Sequence, residues 1–225
     1  MITWLFNTIL YRPLFNALVL LYRYLAFHDL GIAIILLTIF IRILLYPLTA
    51  NSLKAQKKIS QLQPKIKEVQ KKYKDPKEKT EKLLELYKKE KISPFAGLLP
   101  LLLQLPILIA LYKVFWRIKE IDSSLLYSFV QNLSSFEPYF FGILDLTSPY
   151  IPLALLAAFL QYFQAKGAKK DKEIKKGSET SQMIQKQSLY IFPLLTFFIL
   201  FKLPSAIALY LIITTLFSLI QQKLS

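Results

Sequence analysis

Between Leu30 and Leu48 the chain runs for nineteen residues with one formal charge, Arg42, and between Ser188 and Gln222 for thirty-five residues with one, Lys202. Apolar runs of this length cannot be solvated in water and match the roughly 20 residues that a helix needs to cross a bilayer. The rest of the chain agrees, since 54% of its 225 residues are hydrophobic and 19% charged, with a mean hydropathy of +0.40, too apolar for an ordinary soluble domain of this size. A polytopic, all-α membrane protein follows.

The absence of cysteine and a single histidine, His28, exclude disulfides, thiolate metal sites and any histidine pair, so neither a metal nor a cofactor is expected. Five membrane spans are expected, at 30–49, 95–116, 140–164, 188–202 and 204–222. Residues 2–27, with Arg12, Arg23, Pro13 and many aromatics, are expected as an interfacial amphipathic helix broken or kinked near the proline, with an uncleaved membrane span as the alternative. Pro149 and Pro152 leave the third span only about 14–16 continuous helical residues, or roughly 21–24 Å, short of a ~30 Å hydrocarbon core.

Two segments break the apolar pattern. Residues 51–91 hold fourteen Lys against six acids, and Ile59, Leu62, Ile66, Val69 and Tyr73 recur at steps of three and four, a heptad seam. Asp75-Pro76 interrupts it and Leu83, Leu84 and Tyr87 resume an apolar face, which predicts a helical hairpin outside the membrane. Pro64 is expected to offset or kink its first arm. A second basic loop, 165–186, has seven Lys and three acids. Together the two hold twenty-one of the chain's twenty-nine Lys and Arg, which by the positive-inside rule places both in the cytoplasm, the amino terminus outside and the carboxyl terminus inside. Anionic lipid headgroups account for the net charge of +15. No specific nucleic acid site is expected, because neither loop contains arginine and aromatics there are few.

Arg42 then sits about ten residues up its helix from the cytoplasmic interface, roughly 15 Å deep. Charge at such depth costs about 2.5–3.5 kcal/mol on insertion scales, so it marks function or buried pairing. No carboxylate stands at matching depth. The neutral polar side chains are Thr38, one turn away on the same face, Gln104, Gln161 and Tyr210. A guanidinium with only amides, hydroxyls and water around it implies a hydrated cavity inside the bilayer; bonding to carbonyls freed near Pro100 and Pro106 is the structural alternative.

The runs IAIILLTIFIRILLYPLTANSLKAQKKISQLQPKIKEVQKKYK (32–74), ISPFAGLLPLLLQLPILIALYKVF (92–115) and FPLLTFFILFKLPSAIALYLIITTLFSLIQQ (192–222) resemble the core helices and hairpin of the YidC-type membrane protein insertases of bacteria. The resemblance covers about 30–222, and the amino-terminal segment resembles that family's external amphipathic helix. It implies an inner-membrane insertase, not an enzyme, whose groove opens to cytoplasm and lipid. There Arg42 attracts acidic or polar parts of a client, Thr38 and Gln104 are polar groove positions, and Gln161 and Tyr210 are further matches. Implied partners are nascent membrane protein clients and anionic headgroups, with ribosome, signal-recognition-particle receptor and Sec translocase as further contacts of a protein acting as a monomer. Beside the family pattern the chain is expected to be a minimal core form, without the large external domain or the long basic tail of some relatives, and Lys202 and Leu211 stand where many relatives carry aromatics.

Two other classes compete: an anion channel or transporter using Arg42, and a structural assembly chaperone using its helices only for packing. The outer halves near Leu108–Leu111, Leu153–Ala158 and Phe197–Phe201 are almost wholly apolar, which disfavours a through-pore. Neither H-E-x-x-H, G-x-S-x-G nor a phosphate loop occurs, so no enzyme is expected.

Overall fold

The computed structural model describes residues 2–91, 93, 99–116, 118, 123–130, 136–167 and 187–224. Its first helical stretch joins α1 (Ile2–Phe6) through a π-helical turn, Asn7–Tyr11, to α2 (Arg12–Tyr24). Pro13 does not break it. The proline occupies the start of α2 just after the widened turn, where its missing N–H costs little. After a sharp corner with Phe27 and His28 at positive φ, Asp29 caps α3 (Leu30–Leu44), its carboxylate accepting from Ile32 N at 2.8 Å.

At Leu45 the chain bends by 60° into α4 (Tyr46–Gln61). Pro47 supplies no N–H to the turn before it, the commonest cause of so sharp a kink. Next come α5 (Gln63–Lys72) and α6 (Pro76–Lys89), the latter capped by Asp75, which accepts from Lys77 N and Glu78 N. Leu62 and Ile66 are buried against Ile59, Leu83, Leu86 and Tyr87, so the first part of the heptad seam, but not Val69 or Tyr73, closes the pair. Pro64 sits in the first turn of α5, and the break it predicts falls at Leu62.

The remaining elements are α7 (Leu99–Trp116), two short 3-10 turns (Ser123–Leu125 and Ser128–Val130), α8 (Ile151–Gly167), α9 (Phe192–Leu200) and α10 (Ser205–Leu224). A small antiparallel pair, β1 (Tyr139–Phe140) with β2 (Leu144–Asp145), precedes α8. These residues lie in the expected third span, which Pro149 and Pro152 were expected to shorten to about 14–16 helical residues; α8 indeed starts only at Ile151, with Pro152 in its first turn, where a missing N–H costs little. Gly142, at φ +67, lets the hairpin reverse. The second basic loop falls almost wholly outside the described residues.

The expectation of five spanning helices beside an interfacial one is overturned. Among the described residues two helices, Thr3–Tyr24 and Ser205–Lys223, are long and apolar enough to cross a membrane; a third arises only if Leu30–Leu44 and Tyr46–Ala55 are joined across their bend. The reason is length. The apolar parts of α7 (Leu102–Trp116) and of the α9 region (Leu189–Leu200) reach only about 22 and 18 Å at 1.5 Å per residue. The helix expected to lie along the surface is one of the two that pass.

One main core holds these helices together. Leu18, Val19 and Tyr22 of α2, Leu30, Ile34 and Leu37 of α3, Leu111 and Phe115 of α7, and Ile207 and Tyr210 of α10 are almost fully buried within it. Conversely Phe40, Ile43, Phe159, Leu194 and Phe198 stand exposed. So large an apolar exterior is what lipid, and not water, solvates.

Candidate functional site

Three helices each deliver one polar side chain to a single point in the apolar bundle. From the last turn of α3, Arg42 donates through Nη2 to Gln104 Oε1 of α7 at 3.3 Å. Gln104 in turn donates through Nε2 to the Tyr210 hydroxyl of α10 at 2.6 Å. Tyr210 is 1% exposed, whereas Arg42 and Gln104 are half-buried. The direction of the chain follows from chemistry: guanidinium can only donate, the amide carbonyl accepts it, and the amide N–H passes the polarisation on to the phenol oxygen. Among the described residues no carboxylate pairs with Arg42. Its charge is held by neutral dipoles, with most of its five N–H donors left for water or a ligand.

Two of the sequence candidates stay outside this chain. Thr38 is buried, but its hydroxyl donates back to Ile34 O of its own helix at 2.6 Å, the usual refuge of a threonine in an apolar helix. Gln161 is half-buried on α8 and makes no hydrogen bond to the other three. The structural alternative for Arg42, bonding to carbonyls near Pro100 and Pro106, does not occur among the described residues; the amide of Gln104 takes that place.

Sequence reasoning missed two polar clusters. At one end of the bundle Gln221 of α10, 2% exposed, donates through Nε2 to Thr49 Oγ1 at 2.9 Å. Thr49 also reaches back to Leu45 O and Tyr46 O, both at 3.0 Å. The cluster ties the start of α4, just past the 60° bend, to the end of α10.

At the other end Asn16, 2% exposed, donates to Arg12 O and Leu125 O and accepts from Tyr127 N, each at 2.8 Å. Arg12 adds bonds to Leu125 O at 3.0 Å and Leu126 O at 3.1 Å, and its guanidinium lies over the Tyr127 ring. The first N–H groups of α10 are likewise taken up by backbone carbonyls of the segment before α8: Ser205 N donates to Ser148 O and Ala206 N to Leu146 O, both at 3.0 Å. This end is thus sealed by backbone-directed bonds. The spacing of Arg12 and Asn16, four apart on one face of an apolar helix, was the available signal.

Comparison with known proteins adds the following. The family model described as "60Kd inner membrane protein" matches residues 21–225. A membrane protein insertase YidC of Blochmanniella floridana is 34% identical over 217 residues, covering 94% of this chain and 35% of the relative. Those of Geobacter metallireducens and Rickettsia akari are 31% and 29% identical, covering 94% and 95% of this chain and 36% and 38% of theirs. The chain therefore spans little more than a third of the length of these relatives. A crystal structure of an active YidC insertase with its first transmembrane domain resolved superposes with a TM-score of 0.60 at 27% identity, over 95% of this chain and 46% of that one.

Proposed function

This chain belongs to the 60Kd inner membrane protein family of YidC-type insertases, which are multi-pass, non-enzymatic proteins of the bacterial inner membrane, and from that premise we propose that it passes hydrophobic helices of client proteins from the cytoplasm into the bilayer. The observation that carries the reading is the chain Arg42, Gln104, Tyr210: a cation with spare donors, held between three helices without a counter-ion among the described residues. A cation so placed lowers the energy of an acidic or polar client segment inside the membrane's thickness, where it otherwise meets low dielectric. Gln104 and Tyr210 keep the guanidinium at that position. The client's apolar helix then leaves for lipid, and its transfer out of water supplies the driving force, so no nucleotide is needed.

In this reading the lysine-rich segments 51–91 and 165–186 face the cytoplasm and its anionic headgroups. The amino terminus then lies outside, on the sealed side of the bundle, and the carboxyl terminus inside. Ribosome, signal-recognition-particle receptor or Sec translocase would meet the chain through those two basic segments.

The test is reconstitution of purified protein in liposomes with a small single-span client bearing an acidic external segment. Insertion that falls on Arg42→Ala, while the same client with its acids neutralised inserts nearly as before, supports the reading. Ion flux without insertion overturns it in favour of a channel.

A further inference from the structure

Away from Arg42, between α8 and the α9 region, lies a recess of about 770 Å³. Its α8 wall is Leu155, Leu156, Ala158, Phe159 and Tyr162, and Leu194 and Phe197 face these from α9. None of the Arg42, Gln104 and Tyr210 group lines it.

The recess is polarised along its length. Its deep part is aliphatic and aromatic carbon. Its other end is marked by Tyr162 and Tyr190, whose ring centroids lie 6.0 Å apart. One turn beyond, Lys166 places its ammonium over the Tyr162 ring at 6.0 Å. Lys166 is exposed and makes no ion pair among the described residues, and the sequence continues from it directly into the lysine-rich stretch 169–176. Tyrosine rings followed by lysine is the order in which a helix leaves hydrocarbon, crosses the glycerol level and meets phosphate.

We propose that this recess is a binding site for one anionic diacyl phospholipid, with the upper part of an acyl chain between Phe159 and Leu194, the glycerol esters beside the Tyr162 and Tyr190 hydroxyls, and the phosphate on Lys166. Length argues against a client helix as occupant. From Leu155 to Tyr162 the lined face of α8 extends only about 10 Å, a third of the ~30 Å that a spanning helix requires. An acyl chain is slender enough to enter and continue into bulk lipid beyond. A net negative headgroup is selected because the only charge on the rim among the described residues is cationic.

The experiment is native mass spectrometry of the detergent-purified full chain titrated with phosphatidylglycerol or phosphatidylcholine, together with Lys166→Gln and Ala158→Trp, the latter filling the recess. The wild type is expected to retain one phosphatidylglycerol in preference to phosphatidylcholine. Lys166→Gln should reduce that preference by about fivefold, the factor equivalent to about 1 kcal/mol per basic residue near an anionic surface. Ala158→Trp should abolish the retained lipid. Should Ala158→Trp melt earlier than wild type in lipid-free detergent, the exposed Lys166→Gln decides alone. Equal retention of both lipids by wild type, or an unchanged preference in Lys166→Gln, overturns the proposal. Loss of client insertion in Ala158→Trp with the lipid still bound would instead assign the recess to the client and also overturn it. Insertion by Arg42 variants is read separately, so failure here leaves the insertase reading untouched.

Discussion

Gln221 and Thr49, 172 residues apart in sequence, share a buried hydrogen bond at the point where α3 turns into α4. Replacing Gln221 with Leu leaves the Thr49 hydroxyl with its local carbonyl acceptors but removes the tie to α10. Because that hydroxyl stays satisfied, the cost is the net worth of one hydrogen bond, about 0.5–1.5 kcal/mol. A Tm lowered by several degrees in detergent is expected for Gln221→Leu, whereas Gln222→Leu on the more open neighbour should change little. Equal effects at the two positions would show that the bond contributes nothing specific.

For Arg42 the expected series is ordered by charge. Lysine keeps a cation on a flexible stem and should retain much of the insertion of acidic clients. Alanine should reduce it severely, and glutamate most of all through like-charge repulsion. A structural clamp predicts something else: lysine as poor as alanine, losses equal for all clients, and a Tm falling in parallel. Insertion of paired acidic and neutralised clients, with melting curves for each variant, separates the two.

Gln104→Leu probes the same chain from its middle. It removes the acceptor for Arg42 and the donor to Tyr210 at once, yet preserves volume. Insertion of acidic clients should fall by less than in Arg42→Ala, because the charge remains and only its placement is lost. An effect as large as that of Arg42→Ala would move the principal role from the charge to the amide.

The amino-terminal seal depends on Asn16, which no residue without both a donor and an acceptor can replace. Asn16→Leu strands the Tyr127 N–H, while Leu125 O keeps its bond from Arg12. A loss of about 1–3 kcal/mol is expected, seen as faster hydrogen exchange across 125–130. Unchanged exchange there would mean that Arg12 alone holds the connector.

In the hairpin, Lys65 lies 2.7 Å from Glu90, and its hydrogen bond first, then its charge, holds the Glu90 carboxyl below the usual carboxylate range. The folded form therefore binds its proton less tightly than the unfolded form. This contribution is present above the ordinary carboxylate pKa and fades as pH falls through the lowered value. Because the pair is exposed, the effect is small and salt-sensitive. Protection of residues 63–89 against hydrogen exchange, taken relative to the intrinsic rate at each pH, should fall on acidification at low salt, and Lys65→Gln should remove that part of the pH dependence.

Orientation is testable by chemistry alone. Cysteines at Lys79 and Lys172 should be shielded from an impermeant reagent applied outside the cell, and one at Ser124 should react. Labelling of the first two would invert the proposed topology.

What could be read from the sequence divides along physical lines. Arg42, Gln104 and Tyr210 were legible because each is an isolated polar group in a long apolar run, where the bilayer leaves few alternatives to mutual contact. Thr38 passed the same test but stands outside that hydrogen-bonded chain, since a short hydroxyl can satisfy itself on its own helix and carries no information about neighbours. The count of spanning helices failed for a different reason. Hydropathy measures apolar length but not continuity, and the bend at Leu45 and the stretch leading up to Pro149 spend that length on corners and a β-hairpin. Gln221 is silent in the sequence because its partner lies 172 positions away, and the spacing of Arg12 and Asn16 marks a shared polar face but not the distant backbone groups that the two bind.

The bend between α3 and α4 also sets the mechanics of the hairpin. Beyond Leu45 the sixteen residues of α4 form an arm of about 24 Å, pinned near its root by the Thr49–Gln221 bond and carrying α5 and α6 at its far end. A tilt of only about 10° about that root sweeps Gln61 through about 4 Å while Arg42, on the near side of the pivot, stays where it is. The arm is thus a lever whose fulcrum is the bend, so a displacement of its lysine-rich tip need not move the charge at Arg42.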